Sequence, residues 1–170
     1  MKNLQQQLTN YALYHRSRRN VRTHFIGIPL IVYAVICLLA RIEVYFIAAL
    51  DMPLHAAHIV ATILVLYYLA LSLSLGVVMG VILFALMYLA WPIVTLTTSY
   101  WLAFSVGLFL VGWLFQFIGH YFEGKKPAFV DDLVGLIIGP LFVLVEFLFL
   151  LGLYQSLAEE IEAEVGPAKP

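Results

Sequence analysis

His120 and Glu123 close the stretch Gln116-Phe117-Ile118-Gly119-His120-Tyr121-Phe122-Glu123-Gly124-Lys125-Lys126-Pro127, where a long apolar run meets polar chain. Three apart, an imidazole and a carboxylate share one face if a helix continues through them. The remaining histidines are His15, His24, His55 and His58. Neutral imidazoles with an optional carboxylate suit Fe(II), Zn(II) or Cu(II), and a face with two histidines, one carboxylate and open positions suits non-haem Fe(II) and O₂. His15, His24 and His120 could supply the nitrogens, with Glu123 as a fourth ligand or as the group that orients a histidine. Asn20 could position the ligands or cap a helix. His55-x-x-His58 is a weaker pair with Asp51 as its nearby carboxylate.

Several chemistries are excluded. The histidines are too few for the His-rich boxes of a di-iron membrane hydroxylase, and no two face each other at mid-span as bis-histidine haem requires. Gly-x-Ser-x-Gly, His-Glu-x-x-His and Gly-rich phosphate loops are absent. Cys37 is the single cysteine, so an internal disulfide and a thiolate metal cage are both out of reach, and a small packing role suits it.

The elements that carry these residues are membrane helices. Of 170 residues, 64% are hydrophobic and 11% charged, far from the ~25% charge of a soluble domain. Backbone in lipid must satisfy its own hydrogen bonds, so long apolar runs become spanning helices. The expected fold is all-α, a polytopic membrane bundle of about five spans in a single domain over residues 1–155. An interfacial helix occupies residues 1–23, where Leu4, Leu8, Tyr11, His15 and Arg18 share a face. Spans follow over 25–48, 54–74, 76–91, 100–118 and 133–153, with breaks at Asp51-Met52-Pro53, Gly76 and Trp91-Pro92. Thr23 serves as cap and Pro29 as an early-turn residue of the first span, and Asp131 or Asp132 starts the last. Residues 156–170 read as a flexible acidic tail. No cleavable signal peptide is expected, and the net charge of −1 excludes a generally basic nucleic-acid binder.

Arg16, Arg18, Arg19 and Arg22 precede the first span, and Lys125 and Lys126 lie between the fourth and fifth. The positive-inside rule places both segments on the cytoplasmic side, with the acidic tail opposite. His15, His24 and His120 then meet at one mouth, and His55 and His58 lie at the other end. Arg18, Arg22 and Lys125 at that mouth could seat an anionic head group, an acyl chain running between the spans. Arg41 and Glu146, counted ~18 Å and ~21 Å along their helices, would share a depth and pair; the competing reading ends the first span at Ala40. Gly76-x-x-x-Gly80 and Gly135-x-x-x-Gly139 suit close helix packing, and a homo-oligomer is left open.

Tyr11-x-x-Tyr14-His15, Asn20, His24-Phe25-Ile26-Gly27-Ile28-Pro29-Leu30 and Gln116-x-x-Gly119-His120-x-Phe122-Glu123-Gly124-Lys125-Lys126-Pro127-Ala128, in that order, resemble the Mpo1-like family over essentially the whole chain. The resemblance implies an Fe(II)-dependent dioxygenase that α-oxidises a 2-hydroxy fatty acid to the acid one carbon shorter, with O₂ consumed and CO₂ released. It carries His15, His24 and His120 over as metal and catalytic residues, with His58 as a further ligand that would have to reach the same mouth. A bacterial inner membrane is the expected location, or the endoplasmic reticulum in a eukaryote. Two other readings stay open: a non-catalytic membrane lipid-binding or assembly protein, and a zinc-dependent membrane hydrolase.

Overall fold

A computed structural model describes residues 3–47, 52–126 and 134–169. Among the described residues the regular structure is helical apart from one short hairpin. The helices are α1 (Leu4–Ala12), α2 (Arg18–Leu39), α3 (Ala56–Leu71), α4 (Leu73–Val94), α5 (Thr98–Glu123), α6 (Val134–Leu150) and α7 (Gln155–Val165). Three of them, α2, α4 and α5, are long and apolar enough to cross a membrane. The count rises to four if α6 and α7, bent by 114°, form one broken span. Asp51 of the expected Asp51-Met52-Pro53 break, and Asp131 or Asp132 as the expected start of the last span, lie outside the described residues.

Two compact units divide the chain, Leu30–Val111 and the combination of Met1–Pro29 with Gly112–Pro170. In the first, α2 stops at Leu39 and does not continue toward residue 48. Val44, Tyr45, Phe46 and Ile47 are β-branched or aromatic, types that fit a pleated strand better than a helix. They form β1 (Glu43–Ile47), which pairs antiparallel with β2 (Met52–His55) and sets Glu43 opposite His55. The depth count that coupled Arg41 to Glu146 assumed a helix running through residue 41. Arg41 lies past its end, where Nη2 donates to Thr98 Oγ1 at 3.2 Å and the guanidinium sits 4.7 Å from the Trp101 ring. Ser72 then caps α4, and Gly76 lets the α3–α4 hairpin close, since a Cβ there would be 2.5 Å from the Leu69 backbone nitrogen. Large apolar side chains such as Leu73, Val81, Tyr88 and Leu110 remain exposed, the surface expected of helices solvated by lipid.

The second unit holds the amino-terminal segment, the end of α5, and α6 with α7. The interfacial helix expected over residues 1–23 is replaced by α1, capped at Asn3 by a reciprocal bond with Gln6, a link over 13–17, and the start of α2. Leu8, Tyr11 and Ala12 form its buried face, packed on α6 and α7. Thr23 and Pro29 fall inside α2, so neither serves as its start; Thr23 Oγ1 donates instead to Asn20 O at 2.7 Å.

The direction of α6 departs most from expectation. A Cβ at Gly139 would be 3.1 Å from Ile28, Phe142 packs on Tyr11 and His15, and Glu146 lines one cavity with Arg16. Rising α6 numbers thus meet falling α2 numbers. The same holds for α5, whose Gln116 neighbours Gly27 and whose Glu123 reaches Ser17. The helices α5 and α6 therefore run the same way.

Consequently the carboxy-terminal segment arrives beside the amino terminus and not opposite it. Left-handed backbone at Gly152 and Tyr154 turns the chain into α7. Gln5 Nε2 donates to Glu164 Oε1 at 3.1 Å. Lys169 pairs with the link between α1 and α2, donating from its N to Arg16 O at 2.7 Å and accepting from Arg18 N at 3.0 Å. The residues expected to form a loose acidic tail are thus a helix and a docked strap. Cysteines placed at Arg19 and at Glu160, both exposed, should be modified by an impermeant thiol reagent from the same face of sealed vesicles; labelling from opposite faces would contradict this arrangement.

Candidate metal centre

His15 lies in the link after α1, held against Tyr11 by a parallel ring stack with centroids 4.0 Å apart. His24 stands on α2 and His120 on the last turn of α5. All three are buried, and one ligand-capable atom from each falls within 4.8 Å of the others. Ring centroids lie 4.5 Å apart for His15 and His24, 4.9 Å for His15 and His120, and 5.1 Å for His24 and His120.

The hydrogen bonds fix the tautomers. His15 Nδ1 is 2.7 Å from Tyr11 O, and His24 Nδ1 is 3.0 Å from Asn20 O. Carbonyl oxygens only accept, so both Nδ1 atoms carry the proton and both Nε2 atoms present a lone pair. Those two Nε2 atoms face each other at 3.0 Å. Lone pairs so placed repel unless a proton or a cation stands between them. Burial, with His24 and His120 close by, pushes His15 well below the ordinary histidine range, which disfavours an imidazolium. A metal ion would resolve the arrangement, because both Nε2 lone pairs could then bind one cation. The buried trio can hold a metal ion.

A second layer braces the elements that carry the rings. Glu123 Oε2 accepts from Ser17 N at 2.7 Å and from Asn20 Nδ2 at 3.1 Å, and Asn20 Nδ2 also reaches Tyr14 O at 3.1 Å. The carboxylate thereby joins the end of α5 to the start of α2, where the helix dipole favours an anion. Gly119 permits the approach, because a Cβ there would collide with Thr23 Oγ1 and Asn20 Oδ1. Gly27 acts likewise against Gln116 and the Gly112 carbonyl.

A cavity of about 580 Å³ opens beside the trio. His15, Arg16, Arg18, Arg22 and Glu146 supply its polar lining, and Val21, Phe25, Phe147, Leu150 and Ala168 its apolar lining. Arg18, Val21, Arg22 and Phe25 recur at helical spacing, so one stripe of α2 forms this wall. Arg16 also donates from Nη2 to Gly166 O, which ties the carboxy-terminal strap to the cavity rim.

A family model described as 2-hydroxy-palmitic acid dioxygenase Mpo1-like matches residues 1–151. The chain belongs to the Mpo1-like family. The yeast 2-hydroxy-palmitic acid dioxygenase MPO1, from Saccharomyces cerevisiae, is 34% identical over 165 residues, covering 95% of this chain and 89% of its own. No solved structure matches.

In this Mpo1-like chain the structure brings His15, His24 and His120 together, and it places Arg18 and Arg22 on the adjoining cavity. Glu123 is committed to Ser17 and Asn20 and is not one of the grouped ligand atoms. Lys125 lines a different hollow with Leu13, Tyr14 and Lys126, and its Nζ donates to Leu13 O at 2.8 Å. His58 sits in the first turn of α3, accepting through Nδ1 from His55 N at 3.1 Å. Arg16, Glu146 and Ala168 were not among the sequence-derived site residues. Glu146 carried a signal, being a lone carboxylate in an apolar helix; Ala168 carried none.

Two substitutions test these supporting contacts. Glu123→Ala should weaken metal binding by about 10–100-fold, the usual loss when a group behind the ligands is removed, read by anaerobic metal titration. Gly119→Val should lower thermal stability by about 1–3 kcal/mol through overpacking, read by unfolding in detergent. Unchanged values for either would contradict the contacts described.

Proposed function

We propose that this protein is an Fe(II)-dependent dioxygenase that α-oxidises 2-hydroxy fatty acids. The reaction consumes one O₂ and converts the hydroxy acid to the acid one carbon shorter, CO₂ and water, breaking the bond between carbons one and two. The observation that carries this reading is the pair of inward-facing Nε2 lone pairs of His15 and His24, with His120 beside them. Family membership and the activity named for the yeast relative supply the reaction class; the choice of iron over zinc rests on the suitability of Fe(II) for O₂ chemistry.

When bound, the ion would supply the coordination positions and the electrons that O₂ chemistry needs. This chain's residues do the rest. His15, His24 and His120 hold the ion, their orientation kept by Tyr11, Asn20 and Glu123. Arg18 and Arg22, one helical turn apart on α2, take the substrate carboxylate in charge-assisted hydrogen bonds. Val21, Phe25, Phe147 and Leu150 receive the first part of the acyl chain and keep water from it. The rest of the chain can leave between apolar helices into lipid, so a nearly all-membrane protein suits a fatty substrate.

Purified protein loaded anaerobically with Fe(II) and given 2-hydroxypalmitate should take up O₂ and release pentadecanoic acid and CO₂ in equal amounts. His120→Ala should abolish both. Arg22→Ala should raise KM about tenfold with a smaller change in kcat, as loss of a charge-assisted bond common to bound and reacting substrate predicts. Turnover without O₂, or with zinc in place of iron, would support a hydrolase. Iron-loaded protein without turnover would support a lipid-binding protein.

A further inference from the structure

Glu146 is an anomaly in a cavity built for an anion. It stands on α6 between the core residue Val145 and the exposed Phe147, in an otherwise apolar helix. Charged groups in such helices are costly and mark function. Arg16, Arg18 and Arg22 line the same cavity as Glu146. Those guanidiniums alone would serve a fatty acid carboxylate, and a second carboxylate beside them repels the anion they attract.

Two explanations differ in their consequences. Glu146 could be only a counter-ion for Arg16, which lines the same cavity. Arg16 is already held from outside, however, by Gly166 O through its side chain and by Lys169 through its backbone. The other explanation uses what a carboxylate does and a guanidinium cannot: it accepts a hydrogen bond. An acid bearing a hydroxyl next to its carboxyl group brings such a donor to the spot where the arginines hold the head group. With three cations on the lining, two carboxylates can be accommodated together.

We propose that Glu146 accepts a hydrogen bond from the substrate's 2-hydroxyl and so selects 2-hydroxy acids over unsubstituted fatty acids. This rests on the reading above that the substrate is a 2-hydroxy fatty acid. A site that hydrogen-bonds a substrate hydroxyl discriminates strongly against the analogue lacking it, because its own polar group is then left unpaired.

The test is competition binding of 2-hydroxypalmitate and palmitate to the purified protein, each displacing a bound fluorescent fatty acid. Wild type should prefer the hydroxy acid by more than tenfold. Glu146→Leu, which suits an apolar helix, should hold palmitate as tightly or more tightly and cut the preference to within about twofold. Glu146→Gln retains an uncharged acceptor and should keep part of it. If Glu146 only neutralises Arg16, Glu146→Leu tightens both acids equally and the preference is unchanged, which overturns the proposal; so does a wild type without preference. Turnover measured alongside separates the two readings. Active wild type with an unchanged preference in Glu146→Leu sinks the role of Glu146 alone. Inactive wild type with a lost preference in Glu146→Leu sinks the dioxygenase and leaves the hydroxyl contact standing.

Discussion

Two imidazole lone pairs facing each other across 3.0 Å in a buried site set the terms for the unit formed by Met1–Pro29 and Gly112–Pro170. The arrangement is unfavourable by itself and becomes favourable with a cation between the rings. It can arise only if something else dictates how each ring is turned. Here that is backbone: the carbonyls of Tyr11 and Asn20 each take an Nδ1 proton, the first on the helix before His15 and the second one turn before His24. Both carbonyls belong to residues whose own side chains are buried and engaged, Tyr11 stacked on His15 and Asn20 bound to Tyr14 and Glu123. The rings are thus oriented by the fold itself, before any ligand arrives.

Much of the surrounding architecture makes sense as the means of holding that geometry. The break between α1 and α2 lets His15 turn back over His24, which one continuous helix could not do at a spacing of nine residues. Gly119 and Gly27 bring α5 close enough for His120 to complete the group. Glu123 locks the end of α5 to the start of α2, and α6 covers the far side with Phe142 against Tyr11 and His15. By running the same way as α5, α6 also presents Glu146 and Phe147 to the cavity in front of the trio. The carboxy-terminal strap then finishes the rim through Arg16.

The trio was legible in sequence because its residue types are rare in an apolar chain and because its motifs match a known family. The turn expected at Gly76 falls instead at Ser72, and the fourth span, expected to end at residue 118, continues as α5 through His120 to Glu123. What escaped was everything that depends on direction and docking. Hydropathy reports that residues 134–150 are apolar enough for a helix, and is blind to which way the helix runs; the contacts of Gly139, Phe142 and Glu146 decide that. An acidic amphipathic segment reads as loose tail until α1 offers a surface for it. Arg41 looked like a buried mid-span charge only because the first helix was extended past Leu39 into residues that prefer a strand. Glu123 was ambiguous for a different reason: spacing puts it on the face of His120, but only the positions of Ser17 and Asn20 show where its carboxylate points.

The central claim is that His15, His24 and His120 together bind one iron. X-ray absorption at the iron edge of anaerobically loaded protein measures this most directly. The account predicts one iron per chain with the multiple-scattering pattern of about three imidazole ligands, reduced by one in a His24→Ala protein that retains its fold. Protein that binds no iron, or iron whose imidazole scattering is untouched by loss of His24, would contradict it.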